Sequence, residues 1–374
     1  MLLQTINANS KRILQFTILC AFLVFLSNSV LAQDSLSVQK PIKSSNIWSK
    51  EKADDWYSKQ KWISGCNFQP STAVNQIEMW QAETFDPKTI DKELGWAQEL
   101  GFNTMRVYLS SLVWKDNPKE YKKRIKKYLA ISARHHIQTI FVFFDDCWNK
   151  ESVLGKQPEP KPGIHNSGWV QDPSVSMRND TTTYFPVLKN YVKDILSAFK
   201  NDKRILMWDL YNEPANEGHG NESLPLLRLV FNWARQINPN QPLTSGLWCF
   251  GCTEISDCQL KNSDIITYHN YSNEIDHKIM IDTLKIHNRP LICTEYMARK
   301  NGSRFENIMP LLKENKVGAI NWGFVSGKTN TIFAWDTPEP DNKEPTVWFH
   351  DILRRDKTPF DKKEINLIKK LNGK

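Results

Sequence analysis

Residues 204–214 read Arg-Ile-Leu-Met-Trp-Asp-Leu-Tyr-Asn-Glu-Pro, an apolar run that stops at the polar pair Asn212-Glu213 and a proline. A run this short and bounded reads as a buried strand rather than a helix. Pro214, with no N–H for a sheet ladder, leaves Glu213 at its carboxyl end. Residues 290–296, Pro-Leu-Ile-Cys-Thr-Glu-Tyr, repeat the pattern and deliver Glu295. Taken alone, Asn-Glu-Pro also fits a surface turn. Two carboxylates, each ending a fully apolar run, are a stronger signal: desolvation penalises them unless they lie at the rim of a polar pocket.

Further strand candidates lie on both sides of these two. Trp62–Phe68, Thr104–Tyr108, Gln138–Phe144, Ile205–Glu213, Pro242–Gly246, Asp264–His269, Leu291–Glu295 and Ala319–Phe324 read as strands. Between them run helical patterns. Asp86-Pro87 starts one with Ile90, Leu94, Ala97 and Leu100 on one face and Gly101 as its stop; others cover 118–135, 181–200, 224–237, 274–287, 304–314 and 361–371. The crossover at 247–262 reads as short and irregular. Residues 145–180 read as a long loop, a length usually tied to function. Strands alternating with helices, with no linker, predict an α/β fold: one (β/α)8 barrel over residues 61–374. A doubly wound open sheet is the competing topology, but no glycine fingerprint follows the first strand.

The first 32 of the 374 residues have the layout of a secretory signal: Lys11-Arg12, an apolar run from Ile13 to Leu26, and a small-residue end at Val30-Leu31-Ala32. Cleavage near Ala32 predicts a secreted or periplasmic protein with no integral membrane association afterwards. The apolar run is shorter than a membrane span needs. Residues 33–60 are polar and read as an N-terminal arm or linker. The net charge is +8, and the lysines are spread over helices such as 122–127 and the tail at 369–370. That is a solvated surface, not a nucleic-acid stripe. Beyond the leader stand Cys66, Cys147, Cys249, Cys252, Cys258 and Cys293. Cys249, Cys252 and Cys258 are close enough to pair, with connectivity open. A zinc site at Cys249 and Cys252 would need a second close pair or a spaced histidine pair, and neither follows.

Barrel chemistry gathers at the carboxyl ends of the strands, so a specific set of residues is expected on one rim. They are Arg106 in strand two, Asp145 and Asp146 after strand three, Asn212 and Glu213 after strand four, His269 and Tyr271 after strand six, Glu295 after strand seven and Trp322 in strand eight. Trp148 and Trp169 in the long loop, with Trp335, fall on the same side, where flat rings stack on pyranoses. Fourteen tryptophans occur in the chain, and those on helices, such as Trp96 and Trp233, read as core. Gly327-Lys328-Thr329 lacks the upstream glycine of a phosphate loop, since Trp322 stands there. Two carboxylates on facing strands suit glycoside hydrolysis: Glu213 as proton donor and Glu295 as nucleophile, kept ionised by Tyr271 or Arg106, about 5 to 5.5 Å apart in a retaining enzyme.

The chain resembles clan A glycoside hydrolases, most nearly family 5, from about Lys61 to Leu371. The resemblance rests on Trp208-Asp-Leu-Tyr-Asn-Glu-Pro214, Tyr268-His-Asn-Tyr271, Cys293-Thr-Glu295 and Asn321-Trp322-Gly323. It implies that Asn212 contacts a sugar 2-hydroxyl, Glu213 is the acid/base, Glu295 is the nucleophile, His269 and Tyr271 flank them, Trp322 floors the adjoining subsite, and Arg106 is the strand-two arginine. The blocks Cys66–Ser71, Phe144–Trp148, His165–Trp169 and Gly327–Thr329 are similar to cellulase-like or xylanase-like barrel proteins, which leaves the sugar open. The expectation is a retaining β-glycoside hydrolase with a carbohydrate substrate and no metal, cofactor or nucleic-acid partner. A non-catalytic carbohydrate-binding barrel and a transglycosylase using the same residues are the alternatives.

Overall fold

The computed structural model describes residues 46–339, 341 and 343–374; the predicted signal segment and most of the predicted arm lie outside them. Eight parallel strands, β1 (Ser64–Asn67), β2 (Thr104–Tyr108), β3 (Gln138–Asp145), β4 (Ile205–Asn212), β5 (Leu243–Thr244), β6 (Ile266–His269), β7 (Leu291–Glu295) and β8 (Gly318–Asn321), form one sheet in the order β5-β4-β3-β2-β1-β8-β7-β6. The remaining gap, between β5 and β6, is bridged just past β5. Leu247 pairs with Tyr268 in parallel, Leu247 N–H donates to the Thr267 carbonyl at 2.9 Å, and His269 N–H donates to the Leu247 carbonyl at 2.8 Å. The (β/α)8 expectation holds.

Strand alternation explains why β4 organises the fold. Trp208 turns to the helix side and packs on Phe141, ring centroids 5.8 Å apart, while its neighbour Asp209 meets Arg106 of β2. At the amino-terminal end, Ile63, Ile140, Leu206, Met207, Ile265, Ile292 and Ile320 form an apolar cluster. It is covered by a helix, Lys50–Ser58, that buries Ala53 and lays Trp56 and Tyr57 against it. The described end of the predicted arm is therefore part of the barrel's packing. The Tyr57 hydroxyl donates to the Lys316 carbonyl at 2.9 Å, and Trp48 N–H donates to the Asp264 carboxylate at 2.8 Å.

Several boundaries differ from the expectations. The stretch at 247–262 holds a ten-residue helix, Thr253–Asn262, whose apolar face is no more than Ile255 and Cys258, too weak a pattern to read. Strand four ends at Asn212, so Glu213 lies just outside it, and Trp322 likewise follows β8 rather than lying in it. Asp86 caps the Pro87–Glu99 helix through the N–H groups of Lys88 and Thr89, as expected. Among the described residues no helix is long and apolar enough to cross a membrane.

Candidate active site

Arg106 is fully buried at the centre of the carboxyl end of the barrel, and its planar fork distributes its donors over four strands. Nε and Nη2 reach Asp209 Oδ2 at 3.0 and 2.8 Å, and Nη2 also reaches Asn212 Oδ1 at 2.6 Å. Nη1 donates to Asn67 Oδ1 at 2.8 Å, to the Tyr108 hydroxyl at 2.7 Å and to Glu295 Oε1 at 2.8 Å. A guanidinium does this because its donors are rigidly planar and its charge cannot be titrated away. One cation thus stands between two buried carboxylates.

Glu295, 6% exposed at its side chain, receives the Tyr108 hydroxyl on Oε1 at 3.1 Å and the Tyr271 hydroxyl on Oε2 at 2.7 Å, in addition to Arg106. Burial pushes its pKa up, with the neighbouring Glu213 carboxyl adding to the rise; Arg106 and the Tyr271 hydroxyl pull against it. Glu213 has different company. His269 Nδ1 lies 2.6 Å from Oε1, while the Asn216 amide donates to Oε2 at 2.5 Å and the Cys147 thiol at 3.3 Å. Burial raises its pKa too, and the hydrogen bonds from Cys147 and Asn216 offset part of the rise. Burial also lowers the pKa of His269 to about 4, so at neutral pH it is an uncharged imidazole. The contrast is chemical: a fixed positive charge and two phenols on Glu295, only neutral groups on Glu213.

The backbone places Glu213 unusually. Its φ of 43° is left-handed, rare for a side chain with Cβ and rarer before a proline, and it swings the carboxyl off the end of β4 toward β6. Strain of that kind concentrates at functional sites. As a result one carboxylate oxygen of each glutamate and a His269 nitrogen all lie within 4.8 Å of one another. These three donors would also suit a cation, but Glu295 is already matched by Arg106 and the His269 nitrogen facing Glu213 is engaged.

The family model described as Cellulase (glycosyl hydrolase family 5) matches residues 64–327, more than half of the chain. The chain belongs to glycosyl hydrolase family 5. A glycoside hydrolase of this family is accordingly an enzyme on a barrel. Its backbone is similar to the endo-beta-1,4-mannanase from Thermotoga petrophila, with 14% identity, TM-score 0.55, and 85% of this chain and 77% of that one covered. It is similar to GH5_18 from Streptomyces cattleya in complex with Manb1-4GlcNAc, with 10% identity, TM-score 0.59, and 84% and 80% covered. A broad specificity endoglucanase from Clostridium longisporum has 13% identity, TM-score 0.57, and 86% and 98% covered. A search among curated proteins returned no match.

In this family 5 chain the structure draws Glu213, Glu295, Arg106, Asn212, His269 and Tyr271 into one hydrogen-bonded network. Trp322 joins through Tyr108, ring centroids 6.1 Å apart, and remains half-buried beside the site. Trp148 is half-buried, sits with φ 71°, and packs on His165 at 5.3 Å. Two expectations change. Trp169 is 2% exposed and wedged edge-on against Tyr108 at 5.0 Å, so its ring supports the site instead of offering a stacking face. Asp145 is 1% exposed with both oxygens engaged, Oδ1 by the Asn212 amide at 2.8 Å and Oδ2 by Trp169 Nε1 at 2.7 Å. It holds Asn212 in place and does not reach the opening. Burial raises its pKa to about 7. Asp146 lies equally deep and pairs with Arg178 at 2.7 Å.

Sequence reasoning passed over Asp209, Asn67, Tyr108, Cys147 and Asn216. Asp209 alone carried a signal: a carboxylate inside an apolar strand requires a buried cation, and Arg106 was the candidate. Cys249 and Cys252 form a disulfide with Cα atoms 5.4 Å apart, and Cys66, Cys147, Cys258 and Cys293 are free and buried.

Proposed function

We propose that the chain hydrolyses β-linked glycans by double displacement, with Glu295 as nucleophile and Glu213 as acid/base. The observation that carries this is the division of partners between the two carboxyls, with an oxygen of one within 4.8 Å of an oxygen of the other. Inverting pairs stand about 6.5–9.5 Å apart to admit a water between them, and retaining pairs about 5–5.5 Å. In the first half, a Glu295 oxygen bonds to the anomeric carbon as the carbon–oxygen bond to the leaving group breaks, and the Glu213 proton goes to that leaving oxygen. In the second, Glu213 takes a proton from water, the water oxygen bonds to the anomeric carbon, and Glu295 is released. Arg106, Tyr108 and Tyr271 favour ionised Glu295 between turnovers. Neutral His269 lets Glu213 hold its proton, whereas a cationic imidazole at 2.6 Å would favour the ionised carboxylate. Asn212 is poised for the 2-hydroxyl, Trp322 for the sugar face, and Trp148 for a contact farther out.

Mannan and glucan chains are the substrate class, on the strength of family membership and of the neighbours named for mannanase and endoglucanase activity. Export to a secreted or periplasmic location is part of the same reading. The Cys249–Cys252 bond supports it, because disulfides persist in oxidising compartments. Rates on aryl β-glycosides test the assignment. Glu213→Gln and Glu295→Gln should each lose about 10³-fold or more in kcat/KM, with carbohydrate binding retained. Equal rates in all three proteins would leave a carbohydrate-binding barrel.

A further inference from the structure

The carboxyl end of the barrel is not an open trough. β3 and β8 are separated in the sheet by β2 and β1, yet the loops that follow them are bonded directly to each other. Asn166 N–H donates to the Thr329 carbonyl at 2.8 Å, Glu339 N–H to the Gly163 carbonyl at 2.9 Å, and the Asn330 amide to the Lys161 carbonyl at 2.9 Å, while His165 Nδ1 meets the Phe333 carbonyl at 2.8 Å. Such contacts require the two loops to arch over the β1–β2 quadrant. The loop after β1 fills the space beneath the arch: the Asn75 amide donates to the Gly168 carbonyl at 2.8 Å, and Lys328 N–H donates to the Ser71 carbonyl at 3.1 Å. Behind Trp322 and Tyr108, between Asn67, Trp169 and Thr329, the space left beneath the arch is about 20 Å³, room for a water and for no further sugar past the ring that would rest on Trp322.

The opposite quadrant is open. The loop after β5, tied by the Cys249–Cys252 disulfide, leaves Trp248 half-exposed and Phe250 45% exposed. Trp248 Nε1 donates to the Pro214 carbonyl at 2.9 Å, which sets this loop beside Glu213. The proton donor faces the leaving group, so the leaving group lies over the open quadrant. The sugar attacked by Glu295 lies toward Trp322 and the arch.

From this asymmetry we infer that the enzyme is end-acting: the stitched β3 and β8 loops stop the glycone after one or two sugar units, so short units are removed from non-reducing ends and chains are not cut internally. The inference rests on the hydrolase reading proposed above and specifies the substrate as chain ends. Digestion of cello-, manno- and xylo-oligosaccharides of five units, labelled at the reducing end, tests it, with an aryl β-glycoside run in parallel. The expected result is a ladder in which the label moves down by one or two units at a time from the earliest samples. Internal cuts scattered along the chain from the start, alongside aryl glycoside turnover, would overturn end action and leave the hydrolase intact. Inertness on every substrate would overturn both.

A variant probes the arch itself. Gly163 has φ +66°, and a Cβ there would lie 1.6 Å from the Glu339 carbonyl oxygen. Gly163→Ala must therefore push the two loops apart. It should turn the ladder toward internal cuts with aryl glycoside turnover kept within about 3-fold of wild type, since no proposed catalytic group touches Gly163. An unchanged ladder from folded Gly163→Ala protein would remove the arch as its cause.

Discussion

Arg106 is the side chain on which most of the site leans, because removing it strands Asp209 and Glu295 together. Arg106→Met should lower unfolding free energy by about 3–5 kcal/mol, the usual cost of leaving a buried charge uncompensated, and abolish turnover. Urea denaturation and an aryl glycoside assay check both parts. Cys147 offers a finer test. Its thiol reaches Glu213 Oε2 at 3.3 Å and so favours the ionised carboxyl. Cys147→Ala should raise the pKa of Glu213 and move the alkaline limb of kcat/KM to higher pH, with Cys147→Ser restoring a donor and bringing it back. A limb that does not move in Cys147→Ala would contradict a positioning role. At this scale the two glutamates and Arg106 were legible because each sits at a strand position where physics demands an explanation. Cys147 and Asn216 were not, since nothing in a chain's order reveals which loop side chains meet across 69 positions.

The helix Lys50–Ser58 shows what element-level reading loses. Its nine residues, Lys-Glu-Lys-Ala-Asp-Asp-Trp-Tyr-Ser, carry an apolar stripe of a single turn, Ala53, Trp56 and Tyr57, too short to stand out in a polar segment, and Ala53 is its one buried residue. It nevertheless closes the amino-terminal end of the barrel through Ala53, Trp56 and Tyr57, with Trp48 just before it 5% exposed. Trp48→Ala should cost about 3–5 kcal/mol in urea unfolding while turnover per folded molecule at 25 °C stays within about 2-fold; a stability loss below 1 kcal/mol would show the segment to be an appendage. Strand β5 is the complementary case. The sequence places it correctly within Pro242–Gly246, but only Leu243 and Thr244 pair as a strand, and the barrel closes through Leu247, a residue outside both. The alternation of strands and helices was enough to specify a barrel, and it was clearest at β3, β4 and β7, whose burial on both faces shows as near-continuous apolar runs.

At the scale of the whole molecule, buried ionisable groups make stability depend on pH. Glu93 is 0% exposed and lies far along the chain from both glutamates of the site; burial raises its pKa to about 7 against the bonds from Ser71. A carboxyl whose folded pKa lies above its unfolded value holds its proton more tightly when folded. Folding therefore takes up protons between pH about 4 and about 7, and stability falls as pH rises through that window. Relative to wild type, Glu93→Gln should gain stability across the same window, on the order of 3 kcal/mol in all, and no more above it. Buried histidines act in the opposite sense. His277, lowered by burial to about 4, is charged only after unfolding between pH about 4 and about 6.5, so stability is lost as pH falls through that range. Unfolding free energies of wild type and Glu93→Gln at pH 4, 5.5, 7 and 8 decide the sign.

The central claim is that one glutamate attacks and the other transfers the proton, and azide rescue of the alanine variants on an activated aryl β-glycoside tests it most directly. Azide replacing the lost nucleophile in Glu295→Ala attacks the substrate itself and should yield the α-glycosyl azide. Azide in Glu213→Ala attacks the glycosyl-enzyme formed on Glu295 and should yield the β-glycosyl azide. The reverse pairing of products, or the same anomer from both variants, would contradict the roles assigned to Glu213 and Glu295.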